Sequence, residues 1–262
     1  TFYKSSNFHL KAYYTDLYNV NDAICAEIYS EFIANNDKAP KQLQEANHYG
    51  TIQSKPVLVY FGNDFYGLME FCTKSSSDLW NIDEKDANQM AIEGNQNNDY
   101  GNFVKKGGVL KKDGDFELQS DNETNAENAL EALQNKLIVD DNATFKANIA
   151  AAFDENSICD AVLFNWLVNN SDGWNGKNQV FITYDNGSHW FWMAYDFDSS
   201  LGSSWNPGTI YADDRDYFTD PAQLNNRVLR RWISLNADKL LARFNELESL
   251  GVLSIQHLQN II

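Results

Sequence analysis

FNWLVNNSDGWNGKNQVFITYDNGSHWFWMAYDFDSSLG, residues 164–202, carries a helix end, a polar loop, a hairpin and an acidic exit in one run. The segment leading into it, SICDAVLFNWLVNN at 157–170, is apolar nearly all round, so it predicts a buried helix that delivers the chain to Asp172. QVFITY and HWFWMAY follow, separated by Asp185-Asn186-Gly187, whose turn chemistry favours a tight hairpin. Asp196 sits at its exit. Asp196 and Asp198 are two apart, so in extended chain both carboxylates project to one face while Phe197 packs the other way. Like charges that close repel in a partly desolvated site, and a hard cation with oxygen ligands is the usual remedy. Asp172 and Asn178 add a carboxylate and a neutral oxygen. Taken singly, each reads as a loop cap or a solvated acid; together, on adjoining loops, they point to a divalent-metal site of the kind that holds a nucleotide's phosphates.

Outward from this run, FHLKAYYTD at 8–16 alternates as a strand, and it begins as if in mid-sheet, which suggests sequence upstream of Thr1. Asn19 or Asn21 can cap a helix with Ala23, Ile24, Ile28 and Phe32 on one face, stopped by Asn35-Asn36-Asp37 and Pro40. VLVYF and FYGLMEFC, joined by Gly62-Asn63-Asp64, form a hairpin. Residues from about Gly94 to Asn125 are polar and Gly-rich with little periodicity, so they read as a surface insertion with room for one small hairpin, where function is least expected. Beyond Asn125 come NALEALQNKLI and FKANIAAAF, and after Pro221 come RVLRRWISLNADKLLARFNEL and, behind Ser254 as a cap, IQHLQNII, all helical in period.

Composition narrows the partners. The 262 residues, 43% hydrophobic, can bury a sizeable core as one large domain. A net charge of -17 argues against the Lys/Arg excess that nucleic acid or an anionic membrane requires. Cys25, Cys72 and Cys159 lack metal-ligand spacing and read as buried thiols. The sequons at Asn122, Asn142, Asn169 and Asn186 matter only in a eukaryotic secretory setting.

The order of acid, Asn, hairpin and acidic pair parallels the protein-kinase catalytic loop and metal-binding Asp. In kinases the Asn follows the Asp by about five residues, and here Asn178 follows Asp172 by six, so the parallel is one of roles. With FHLKAYYTD, VLVYFGNDFYGLMEF, the 164–202 run and RFNELESLGVLSIQHL in that order, the chain resembles the CotH kinase-like family, and within it the cellulosome-associated variants. That resemblance implies an α+β, atypical protein-kinase-like, two-lobed fold with a truncated amino-terminal lobe and a helical carboxy-terminal lobe. It implies one domain over 1–262: a sheet-containing lobe to about 94, the insertion at 95–125, and a helical lobe with the metal site from 126. ATP with Mg²⁺, or Mn²⁺ or Ca²⁺, would be the cofactors. The partners would be nucleotide and a protein Ser/Thr phosphoacceptor or a cellulosomal partner, for a monomer at the cell surface or outside the cell.

By matching position, Asp172 is similar to the catalytic acid, Asn178 to the metal-binding Asn, and Asp196 with Asp198 to the metal-binding pair; Asn178, Asp196 and Lys74 would touch the nucleotide. The chain departs from the family pattern at Thr73, where many members place a Glu, and at Asn21-Asp22, where many have Arg-Asn. The Lys-rich strand usual before FHLKAYYTD is also absent, so a catalytically silent module that keeps the metal site is the alternative. Rival readings are a DxD-type nucleotide-sugar transferase, a sugar-binding module built on Trp166, Trp174, Trp190, Trp192 and Trp205, and a glycoside hydrolase. Scattered His residues and the lack of GxxxxGK[ST], HExxH and GxSxG leave zinc and nucleophile–base hydrolysis without support.

Overall fold

Two antiparallel sheets and eight helices make up the described chain. The structure is a computed structural model, and it describes residues 7–13, 16, 18–120, 123–203 and 224–261. Tyr14, Thr15, Asn122, Trp205 and Pro221, on which the sequence reading draws, lie outside those residues. In chain order the elements are β1 (Phe8–Lys11), α1 (Asn21–Ala34), α2 (Lys41–Glu45), β2 (Ser54–Phe61), β3 (Asp64–Thr73), β4 (Met90–Gly94), β5 (Phe116–Leu118), α3 (Ala126–Leu137), α4 (Asn142–Ala152), α5 (Glu155–Leu167), β6 (Gln179–Thr183), β7 (Phe191–Ala194), α6 (Arg227–Leu235), α7 (Ala237–Ser249) and α8 (Ile255–Ile261).

The first sheet runs β1-β3-β2 and the second β5-β4-β6-β7. Both predicted hairpins form. Gly62 takes φ 62° between β2 and β3, and Asn186 and Gly187 take 58° and 76° between β6 and β7, the left-handed conformations that Gly and Asn adopt at low cost. In the first sheet Lys11 lies opposite Glu70 and His9 opposite Cys72, so these four side chains share a face. On this strand the apolar phase turns outward: Phe8 and Leu10 are exposed, while His9 and Lys11 are partly covered.

α5 is the central helix, and its apolar girth reflects burial on every side. Its Phe164 packs on Tyr29 of α1 with ring centroids 4.6 Å apart and on Phe197 at 5.0 Å. Ser157 at its start accepts the Trp192 amide of β7 at 2.9 Å. α7 is tied to the same helix by Arg243, whose Nε and Nη2 donate to the Asp160 carboxylate at 2.7 and 3.2 Å. The guanidinium also donates to the Asn35 and Phe32 carbonyls at the end of α1, at 3.0 and 3.1 Å. Three helices thus meet on one buried charge pair.

Two sequence expectations are revised. The first amides of α1 are capped by neither Asn19 nor Asn21: the buried Asp16 carboxylate accepts Val20 N at 2.6 Å and Asn21 N at 2.7 Å. Asn21 falls inside the helix and its side chain is used elsewhere. The polar stretch after Gly94 is more than a surface excursion, because β5 joins the second sheet beside β4 and Phe103 and Phe116 are buried. Phe103 reaches Phe181 of β6, centroids 5.5 Å apart. The cysteines are buried free thiols, as expected. No helix among the described residues is long and apolar enough to cross a membrane.

Candidate metal centre

Asn178 and Asp196 occupy the two ends of the β6–β7 hairpin, where the strands leave the sheet. Tyr195 N donates to the Asn178 carbonyl at 3.2 Å, and both Asn178 and Asp196 hold left-handed backbone, with φ 64° and 60°. Asn and Asp tolerate that region better than any residue except Gly, so the hairpin's exit can bend there at modest cost. The bend places Phe197 in the core against Phe164 and leaves Asp196 and Asp198 on the polar side, partly buried.

The preceding loop is fixed from within. Asn165 and Gln179 donate to the Gly173 carbonyl at 3.1 and 2.7 Å, and Trp192 Nε1 holds Gln179 Oε1 at 2.6 Å. A methyl group at Gly173 would meet the Asn165 side chain at 2.4 Å, so only Gly fits there. The loop joins the acidic exit through Ser171, whose amide donates to the Ser199 carbonyl at 3.3 Å.

α1 closes the centre from the other side. Asp22, fully buried, accepts Phe197 N at 2.6 Å. Asn21 Nδ2 donates to the carbonyls of Asp198 and Ser200 at 3.2 and 2.9 Å. Asn21 and Asp22, two of the positions at which this chain departs from its resemblance, therefore organise the acidic loop.

Lys11 supplies the positive charge. Its Nζ lies 3.6 Å from Asp22 Oδ2 and 2.6 Å from the Tyr13 hydroxyl, which itself donates to Asp22. Burial works against its charge, yet Asp22, then Tyr195 and Asp196, more than offset this and hold the ammonium above its ordinary value. The acids are crowded. Burial, with Asp22 and Asp198 adding repulsion, pushes Asp196 up to about 7. Burial and then Asp196 lift Glu93 to about 7, and burial and then Asp22 lift Glu70 to about 9.

The sequence-predicted residues fall into three places. Asn178 stands at the entry of the hairpin, its carbonyl bonded by Tyr195 N, and Asp196 and Asp198 stand at the exit, where their charges repel. Asp172 stands on the adjoining loop, its carboxyl raised by burial and lowered by Lys177. Lys74 is exposed just past β3, where its charge is felt by His9. Sequence reasoning missed Lys11, Asp22, Glu70 and Glu93. Trp174, Trp190 and Trp192 are buried, which removes them as an exposed sugar platform; Trp166 is exposed.

Asp196, Asp198 and Asn178 offer oxygen donors of the type a hard divalent cation takes. The Asn178 main chain is linked to Tyr195, the residue before Asp196. The Asn178 side-chain nitrogen and both Glu70 carboxylate oxygens are buried without a hydrogen-bond partner. Rotating the Asn178 amide presents its oxygen in the nitrogen's place. Among the described residues no group of three or more His, Cys, Asp or Glu side chains could hold a metal ion.

Loss of the cation paired with Asp22 should be visible in stability. Lys11→Met is expected to lower the melting temperature by several degrees at pH 8 and by less at pH 5, where Glu70, Glu93 and Asp196 are protonated. Calorimetry at both pH values checks this, and an equal loss at both would count against charge crowding.

The family model for CotH kinase protein matches residues 1–262. The chain belongs to that family. CotH membership indicates a kinase-like domain, in keeping with the mixed α/β architecture and antiparallel sheets. No curated protein matches the chain.

Proposed function

We propose that this CotH domain binds ATP with a divalent cation and transfers the terminal phosphoryl group to a Ser or Thr hydroxyl of a partner protein. The observation that carries the reading is that one partly covered lysine, Lys11, pairs with Asp22 at 3.6 Å and has its charge favoured by Asp196, at the exit of the hairpin that Asn178 enters. Triphosphate recognition asks for that combination, since both lysine and cation offset phosphate charge. In the same reading the β1–β3 sheet with α1 is the counterpart of an amino-terminal kinase lobe, and α3 to α8 of a helical one.

Asn178, Asp196 and Asp198 would hold the cation, which when bound neutralises charge on the phosphates. Lys11 is given the phosphate contact in preference to Lys74, because it alone of the two stands among the site's acids. Asp172 orients the acceptor hydroxyl and takes its proton as the new oxygen–phosphorus bond forms and the bond to the departing diphosphate breaks. Burial raises its basicity, which suits that task.

Asp172→Ala is expected to lower transfer by roughly 10²- to 10⁴-fold while ATP with Mn²⁺ still raises the melting temperature. Equal loss of transfer and binding would assign Asp172 to the cation instead. A shift with oligosaccharide and none with ATP and Mn²⁺ would sink the proposal. The second reading, a catalytically silent module retaining the metal site, draws on the engagement of Lys11 by Asp22 and Tyr13. Its mark would be metal-dependent nucleotide stabilisation without turnover.

A further inference from the structure

Residues 94–103, the start of the polar stretch that the sequence marks as idle surface, lie against the Asp172–Asn178 loop main chain to main chain. A methyl group at Gly176 would stand 2.2 Å from the Gly101 carbonyl carbon, and one at Gly94 would stand 1.9 Å from Gly176 O. Neither spacing admits a side chain. Two successive amides of the loop are held from this side: Lys177 N donates to Asn97 Oδ1 at 2.9 Å, and Asn178 N to Gly94 O at 3.1 Å. The segment is itself anchored. Phe103 inserts between Phe116 and Phe181, and Arg227 N at the start of α6 donates to Asn102 O at 2.9 Å.

We infer that this segment is the positioning element for the Asp172–Asn178 loop, and that Asn97 is a positioning residue for the metal-binding half of the site. Asn178 has to present its amide oxygen while holding left-handed backbone at φ 64°. The chain immediately before it is fixed by the Asn97 and Gly94 contacts. Asn97 touches no reacting group and acts through the Lys177–Asn178 peptide. The functional half of this inference rests on the cation site proposed above; the structural half does not.

The test uses the whole chain and compares the wild type with Asn97→Ala, which removes the acceptor, and Asn97→Asp, which keeps one. Hydrogen exchange at the Lys177 amide is the direct readout, and the second is the apparent affinity for Mn²⁺ in the presence of ATP, followed by thermal shift. Asn97 is exposed, so the melting temperature without ligand should stay within about a degree. The expected result is exchange at Lys177 faster by roughly five-fold in Asn97→Ala, Mn²⁺ affinity weaker by about three- to ten-fold, and both restored in Asn97→Asp. Unchanged exchange would overturn the positioning contact. Faster exchange with unchanged Mn²⁺ affinity would overturn the role of Asn97 at the site. If the wild type binds neither Mn²⁺ nor ATP, the cation reading fails, and exchange alone decides whether the segment fixes the loop.

Discussion

Asp196→Asn is expected to raise the melting temperature of the metal-free protein at pH 8 by roughly 5 °C and to abolish the further rise given by ATP with Mn²⁺. Asp196 is pushed from 3.8 up to about 7 in the folded chain, first by burial and then by Asp22 and Asp198. A carboxyl whose folded value lies above its unfolded one contributes stability that is fully present below the unfolded value and is lost as pH rises through the folded one. From about pH 4 to pH 7, then, the metal-free protein loses stability at this residue, and Asn, which never ionises, removes the loss. Asn also keeps the left-handed backbone at this position at little cost. The same substitution takes away one of the two carboxylates that would hold the cation. Stability and ligand response therefore move in opposite directions, which a simple folding defect does not do. A variant that melts lower at pH 8 and keeps the response to ATP and Mn²⁺ would refute the metal assignment of Asp196.

Arg243→Leu is expected to cost about 3–5 kcal/mol, a fall of roughly 10 °C in melting temperature for a chain of this size. Both members of the Arg243–Asp160 pair are buried, and the guanidinium also serves the Phe32 and Asn35 carbonyls and the exposed Glu246 carboxylate. Removing the arginine leaves a carboxylate with no water and two carbonyls without donors. Replacing both partners removes the stranded charge, so Arg243→Leu with Asp160→Leu should recover part of the loss. Calorimetry on the single and double variants checks this. A double variant as unstable as the single one would show that packing, not charge, sets the value of the position. Asp160 and Arg243 do not touch the hairpin exit, so Mn²⁺-dependent nucleotide stabilisation of the folded fraction should persist.

Local signals were read well. Gly62 and the Asn186-Gly187 pair announce their turns because left-handed backbone restricts residue choice at the position itself, and the all-round apolarity of α5 announces burial. Asn178, Asp196 and Asp198 can be proposed from sequence because they flank one hairpin. The missed residues depend on long-range geometry. An alternating strand normally turns its apolar phase to the core, but β1 turns His9 and Lys11 inward, because what lies beneath that face is a polar site. A lysine in the inward phase, a few residues before a buried helix start, was the available signal. Phe103 and Phe116 are isolated aromatics in polar sequence, so periodicity could not report that they anchor 94–103 in the core. Asp16 caps a helix that begins five residues later, beyond the reach of the usual cap spacing.

The contact between Gly101 and Gly176 also determines what a mutational survey of this domain can see. Because the closest approach of the two segments is through peptide atoms, truncating exposed side chains such as Gln96 and Asp99 to Ala leaves it in place, and those positions should score as neutral. Substitutions that add a carbon at Gly94 or Gly176 probe it, and those would be scored as ordinary folding defects. A scan of this design would file the segment as dispensable, and a shortened variant made on that advice would lose the surface against which its Asp172–Asn178 loop is shaped.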